Sequence, residues 1–275
     1  MKQRIISAIG GLILLAVVLF FFDTKVFNAA LSGVCFLAMF EFLHATKINE
    51  NKWLSGVAYV VSVLVPFIPR AAEKDWLPVI ILPYMGVLLC ILLATHKTTR
   101  IEQVGMTFMV SIGIPLALTS VVYLRDAFGP KLGLFYLILA LGGAWFTDSG
   151  AYFVGCSIGK HKMTPIISPH KTWEGAVGGV VVCTLLMLGC GWLFETFTTG
   201  YEVQYGYLLM LAPVLSIVSM LGDLSASLVK RQFGIKDFGK IMPGHGGVLD
   251  RFDSLLFVAP LLWAAVQVLP IVTIG

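Results

Sequence analysis

Tyr207–Leu228 reads YLLMLAPVLSIVSMLGDLSASL, and Asp223 is the one ionisable group with a formal charge in its 22 residues. A helix needs about 20 predominantly apolar residues to cross a hydrocarbon core about 30 Å thick. This stretch is long enough and apolar enough to do so. An acid within such a helix is expensive unless it is paired, wetted or bound to a ligand. The stretch therefore points to a membrane helix that carries a functional group.

Working outward, the chain repeats this pattern. Its 275 residues are 58% hydrophobic and 12% charged, with mean hydropathy +0.90, against roughly 25% charged residues in an ordinary soluble domain. Nine apolar runs fall near Ile5–Phe22, Val26–Leu43, Leu54–Ile68, Trp76–Ala94, Val104–Leu124, Leu132–Phe153, Gly175–Phe194, Tyr207–Leu228 and Phe252–Ile274. The third ends in PFIP and is expected to tilt or break. The reading is an all-α, polytopic integral membrane protein with about nine transmembrane helices. The first run imitates a signal peptide, but it exceeds the roughly 7–15 residues of an h-region and reads as a retained span. There is no sign of a soluble domain, a low-complexity tract or a short-period repeat.

Cations set the expected orientation. With the N-terminus in the cytoplasm, Lys2, Arg4, Lys47, Lys52, Lys97, Arg100, Lys160, Lys162, Lys171, Lys230, Arg231, Lys236, Lys240 and Arg251 are cytoplasmic. That is 14 of 19, against Lys25, Arg70, Lys74, Arg125 and Lys131, a positive-inside bias. Nine spans then put the C-terminus outside. The halves read as 1–124, supporting helices with lipid access, and 125–275, helices carrying the chemistry. The five cysteines (Cys35, Cys90, Cys156, Cys183 and Cys190) form no C-x-x-C pair. They read as small packing residues rather than a disulfide or zinc framework.

Polar groups concentrate in a few places. Glu41 and His44 close the second run and read as a helix end emerging into headgroups. Asp148, in WFTDSGAYF, lies inside an otherwise apolar run and reads as functional. Asp223, Ser227 and Arg231 recur every four residues and share one helical face. Asp250 and Asp253 open the last run with Arg251 between them, where acids also suit a helix N-terminus. In between runs SLVKRQFGIKDFGKIMPGHGGVLDRFD, Ser227–Asp253, with Lys230, Arg231, Lys236, Lys240 and Arg251 around the PGHGG turn. Gly244, Gly246 and Gly247 permit positive φ and close backbone approach, as a phosphate cradle requires. Cations suit phosphate oxygens, and paired carboxylates suit Mg²⁺, which completes its shell with substrate phosphates. A basic loop resting on anionic lipid would need neither the acids nor the glycines. A second polar stretch, GKHKMTPIISPHKTWEG (Gly159–Gly175), lies on the same expected side. Its GCSIGKH is not a P-loop, because the first glycine is one residue too close and His161 replaces Ser or Thr. Lys171 and Glu174 could close a site from there.

The residues Ser227, Lys230, Arg231, Lys236, Asp237, Gly239, Pro243, His245, Gly246, Gly247, Asp250, Arg251 and Asp253 form S-x-x-K-R-x4-K-D-x-G-x3-P-x-H-G-G-x-x-D-R-x-D. This pattern resembles the signature of the phosphatidate cytidylyltransferase (CDP-diacylglycerol synthase) family, with Met242 in place of an aliphatic residue. ISPHKTWEG is similar to another family segment. The resemblance implies that CTP and phosphatidate give CDP-diacylglycerol and pyrophosphate in phospholipid biosynthesis, at the cytoplasmic (inner) membrane with the loop on the cytoplasmic side. It implies Asp223 and Asp250 as holders of one or two Mg²⁺ ions, and leaves room for a monovalent cation. Lys230, Arg231, His245, Arg251 and Asp253 would act with them in catalysis. Ser227, Lys236, Asp237, Gly246, Gly247, Asp148, Lys171 and Glu174 would bind substrate. The bilayer is the expected partner, nucleic acid is not, and a homodimer stays open.

Phosphatidate already carries an ionised phosphate, so its attack on the α-phosphorus of CTP needs no general base. Positioning and charge neutralisation suffice. Two rivals remain. An ion-coupled transporter would place its acids near mid-bilayer and repeat itself between halves. A CTP-dependent lipid kinase would use the same cations to transfer the γ-phosphate. A CDP-alcohol phosphotransferase is disfavoured, since its D-G…A-R…G…D…D pattern is absent.

Overall fold

The computed structural model describes residues 2–68, 77–242, 244 and 246–275. Arg70, Lys74 and Trp76 of the topology reading, and Pro243 and His245 of the signature, lie outside the described residues. The elements are α1 (Lys2–Phe20), α2 (Lys25–Ala45), α3 (Lys52–Leu64), α4 (Leu77–Ala94), α5 (Ile101–Ile158), α6 (Trp173–Phe197), α7 (Tyr205–Gln232), α8 (Leu249–Phe252) and α9 (Leu255–Val266). Lipid offers no partner for a backbone N–H or C=O, so apolar runs that enter it become helices. Among the described residues, α2, α5, α6 and α7 are long and apolar enough to cross a membrane. Large side chains such as Val177, Leu185, Met210 and Leu93 stand exposed, which suits a lipid-facing surface. The chain is a helical membrane protein.

Two compact units make up the chain. The first contains Met1–Tyr123 and Ile235–Arg251, and the second Leu124–Gly234 and Phe252–Gly275. Within the first, Asn28 Nδ2 donates to the Pro66 carbonyl at 2.7 Å and Ser32 Oγ to that of Val63 at 2.8 Å. These bonds fix α2 against the end of α3. Asn51 caps α3, its Oδ1 accepting from the amides of Trp53 and Leu54 at 3.1 Å. The expected irregularity at PFIP takes the form of a 3₁₀ turn over Val65–Phe67.

In the second unit, glycines let helices close on one another, as small residues do in membranes. A Cβ at Gly150 would strike Val182, one at Gly175 the Ala151 carbonyl, and one at Gly179 the Thr147 carbonyl. These contacts seat α6 on the C-terminal part of α5. Thr147 Oγ1 donates to Ser216 Oγ at 2.8 Å, joining α5 to α7 inside the core. The α5 element is broken at Gly129, where φ is 78° and ψ 172°. Gly133 lies against the Arg125 backbone, so the chain reverses there. The two expected runs Val104–Leu124 and Leu132–Phe153 stand on either side of the break.

The structure departs from the all-α reading at two small antiparallel ladders. In one, β1 (Lys162–Thr164) pairs with β2 (Ser168–Thr172), with Lys162 opposite Thr172. In the other, β3 (Tyr201–Val203) pairs with β4 (Val272–Ile274). The last apolar run is therefore helical only over Leu255–Val266 rather than to Ile274. Pro270 lacks the N–H that a continuing helix needs, and the residues beyond it find partners in β3.

Candidate active site

In the second unit, α5, the β1–β2 hairpin, α6 and α7 enclose a cavity of about 220 Å³ whose wall includes Asp148, Tyr152, His170, Lys171, Met220 and Asp223. Asp148 comes from α5, Lys171 from β2 and Asp223 from α7. Lys171 Nζ lies 2.5 Å from Asp223 Oδ2, and each side chain is about a quarter exposed. Asp223 Oδ1 accepts from Ser227 Oγ at 3.5 Å, one turn further along α7. Another turn on, Arg231 Nε donates to the Ile167 carbonyl at 3.3 Å. One face of α7, with Asp223, Ser227 and Arg231, thus meets the hairpin, in agreement with the four-residue spacing.

Lys230 pairs with a different acid. It is buried, and its Nζ lies 3.9 Å from Asp253 Oδ2. Asp253 is itself buried, and its Oδ1 accepts from the Ser254 amide at 2.8 Å. The charges of Asp223 and Asp148 repel that of Asp253, while Lys230 attracts it. The second unit therefore gathers three acids and two lysines around one place. Glu174 does not join the cavity wall. It accepts from the His161 amide at 3.2 Å, and His161 Nδ1 lies 2.5 Å from its Oε1. This pair closes the mouth of the hairpin, while Thr172 caps α6 by accepting from Gly175 N at 3.2 Å.

The glycine loop belongs to the first unit. Gly244 and Gly246 have φ of 79° and 83°, so their freedom is conformational, as the turn demands. Met242 N donates to the Gly246 carbonyl at 3.0 Å and closes the turn. Asp250 is buried, and its Oδ2 accepts from the amides of Phe238 and Gly247, both at 2.9 Å. The Gly247 amide is thus held by Asp250 rather than presented to an anion. Lys236, Asp237 and Arg251 are exposed.

Glu41 corrects the sequence reading. It is 2% exposed, not emerging into headgroups. Its Oε1 accepts from Val248 N and its Oε2 from Leu249 N, both at 2.9 Å. No local pattern could have singled it out, because its partners lie 207 and 208 residues away. His170 was also missed, although it adjoins Lys171 in ISPHKTWEG.

The sequence profile of the Cytidylyltransferase family matches residues 2–269, which takes in both the cavity and the loop. The chain belongs to the Cytidylyltransferase family. A phosphatidate cytidylyltransferase of Bacillus subtilis (strain 168) is 35% identical over 271 residues, covering 96% of each chain. One from Staphylococcus saprophyticus is 36% identical over 276 residues, covering 95% of this chain and 97% of its own. One from Staphylococcus aureus (strain COL) is 36% identical over 233 residues, covering 82% and 85%.

The donor chemistry of the cavity, as distinct from the signature loop, would fit a divalent cation. Asp148 and Asp223 offer hard carboxylate oxygens to one cavity, and Mg²⁺ commonly takes one or two protein carboxylates and fills its shell with water and phosphate. Among the described residues no group of three His, Cys, Asp or Glu side chains is arranged to enclose a metal.

Proposed function

We propose that this protein is a phosphatidate cytidylyltransferase, which transfers the cytidylyl group of CTP to phosphatidate and releases pyrophosphate. The observation that carries the reading is the end-to-end family match over residues 2–269. The two acids and the lysine that line the cavity supply a chemistry consistent with it. The phosphate of phosphatidate attacks the α-phosphorus of CTP, and the bond to the pyrophosphate oxygen breaks. Lys171 and Arg231, with Lys236 and Arg251 of the loop, neutralise the triphosphate and the leaving group. Lys230 compensates the buried Asp253. Asp148, Ser227, Asp237 and Gly246 position the substrates.

Asp223 and Asp250 are the carboxylates that the resemblance assigns to Mg²⁺. When bound, the ion screens the phosphate charges and assists departure of pyrophosphate. The proposed setting is the inner membrane of a bacterial cell, with nine spans, the N-terminus and the Ser227–Asp253 loop in the cytoplasm, and the C-terminus outside. Residues 1–124 support the lipid-access side, and residues 125–275 carry the catalytic site and the signature, 227–253. CTP arrives from the cytoplasm and the lipid enters sideways between helices.

The test uses the purified full chain in nanodiscs with phosphatidate, Mg²⁺ and labelled CTP. Label in the α-position passes to the lipid, and label in the γ-position leaves as pyrophosphate. Transfer of the γ-label to lipid would establish a kinase instead.

A further inference from the structure

Four amides of the glycine loop are held by two carboxylates. Asp250 takes those of Phe238 and Gly247, and Glu41 takes those of Val248 and Leu249. Glu41 comes from α2, far outside the signature. The glycines around it gain an explanation from it. Neither Gly239 nor Gly247 has a positive φ, so backbone conformation does not demand glycine at either position. A Cβ at each would instead run into the Glu41 carboxylate. Two glycines of the signature are therefore the room made for a buried acid supplied by another helix.

The geometry also shows what that acid acts on. Val248 and Leu249 directly precede Asp250, and Gly247 is the residue that Asp250 itself grips. A carboxylate with one amide on each oxygen fixes both the position and the rotation of this segment, because charge-assisted hydrogen bonds are short and directional. We infer that Glu41 is a positioning residue for the cytidylyl transfer, its carboxylate holding Val248 and Leu249 and, through them, the orientation of Asp250. The inference rests on the proposed function for its catalytic consequence, while the hold on the loop stands on geometry alone.

Glu41→Gln keeps the size of the side chain but replaces one acceptor with an NH₂ group, which must face an amide N–H. Full-length protein in nanodiscs is compared with wild type by steady-state kinetics, by thermal unfolding and by amide hydrogen exchange. We expect kcat to fall at least tenfold, with KM for CTP and phosphatidate changed less than twofold and the unfolding midpoint within a few degrees. Exchange in the peptide covering 246–252 should quicken at least tenfold. A purely structural role would lower the midpoint while leaving kcat per folded molecule unchanged, and that result overturns the inference. If Glu41→Gln does not fold, Gly239→Ala decides the matter, since its methyl group pushes the same carboxylate from the opposite residue. Lowered kcat in the folded variant supports the inference, and wild-type kcat overturns it. Should wild type show no cytidylyl transfer at all, the proposed function fails. The exchange measurement then still judges the hold of Glu41 on the loop, and wild-type exchange in Glu41→Gln refutes it.

Discussion

Asp223→Asn removes one charge from the cavity and almost nothing else. The asparagine oxygen can still accept from Ser227, whose Oγ lies 3.5 Å from Oδ1 in the native protein. Among the charged groups of the cavity wall, Asp148 and Asp223 contribute two negative charges and Lys171 one positive, so the substitution takes the sum from −1 to 0. At an effective dielectric of about 20, a unit charge and a divalent ion about 4 Å apart interact by about 8 kcal/mol before desolvation is counted. Desolvation and water offset most of that. Removal of one preorganised electrostatic group from an active site typically costs about 2.7–4 kcal/mol, or 10²–10³ in rate, and that is the expected loss in kcat/KM for CTP. Stability should fall as well, because the Lys171 Nζ left behind is itself shielded from solvent and loses the carboxylate 2.5 Å away, and a buried charge stripped of its partner is destabilising; activity is therefore compared per folded molecule. The assay is transfer of α-labelled CTP to phosphatidate in nanodiscs, with unfolding followed in parallel. If the folded variant kept more than about a tenth of wild-type activity, no more than about 1.4 kcal/mol of barrier would rest on Asp223. The assignment of the cavity as the reaction site would then be wrong.

Asp250→Asn can keep its oxygen towards the amides of Phe238 and Gly247, so it should retain the loop and still lose nearly all turnover, whereas Asp237→Asn, at an exposed position, should be milder. The double variant Asp223→Asn/Asp250→Asn should be hardly worse than either single, since groups that act as a unit lose their effect together; multiplied losses in the same kinetic assay would contradict this. In a cysteine-free background, single cysteines at positions 47, 97, 162 and 240 should react with an impermeant reagent only from the cytoplasmic side, and one at position 200 only from outside. Label reaching position 240 from outside would reverse the proposed orientation. A CTP chiral at an α-phosphorothioate should give inverted product, as direct in-line displacement requires, and net retention would signal a covalent enzyme intermediate. Gly179→Ala places a methyl group against the Thr147 carbonyl and Ala151; overpacking of this kind costs about 1–3 kcal/mol, read as a lowered unfolding midpoint with wild-type protein alongside.

Much of this molecule is a local matter, and local matters are legible in a sequence. The apolar runs became helices because lipid leaves the backbone no other partner. Asp223, Ser227 and Arg231 share a face because 3.6 residues make a turn. Gly244 and Gly246 take positive φ, and the chain breaks at Gly129, directly before Pro130. Each of these follows from a few neighbouring residues. The β1–β2 hairpin and the early end of α9 were less visible, since short ladders depend on which strand is offered as a partner. Three further features were decided by the tertiary structure alone. Asp148 and Lys171 share a cavity with Asp223 although Asp148 precedes it by 75 residues. Lys230, one of five similar loop cations by sequence, is the one buried against Asp253. Glu41 reads as the polar end of a helix until its partners at Val248 and Leu249 come into view. Periodicity reports the face on which a side chain stands, but not what the rest of the chain brings to that face. A buried charge is tolerated only with partners, and here those partners come from the other end of the sequence.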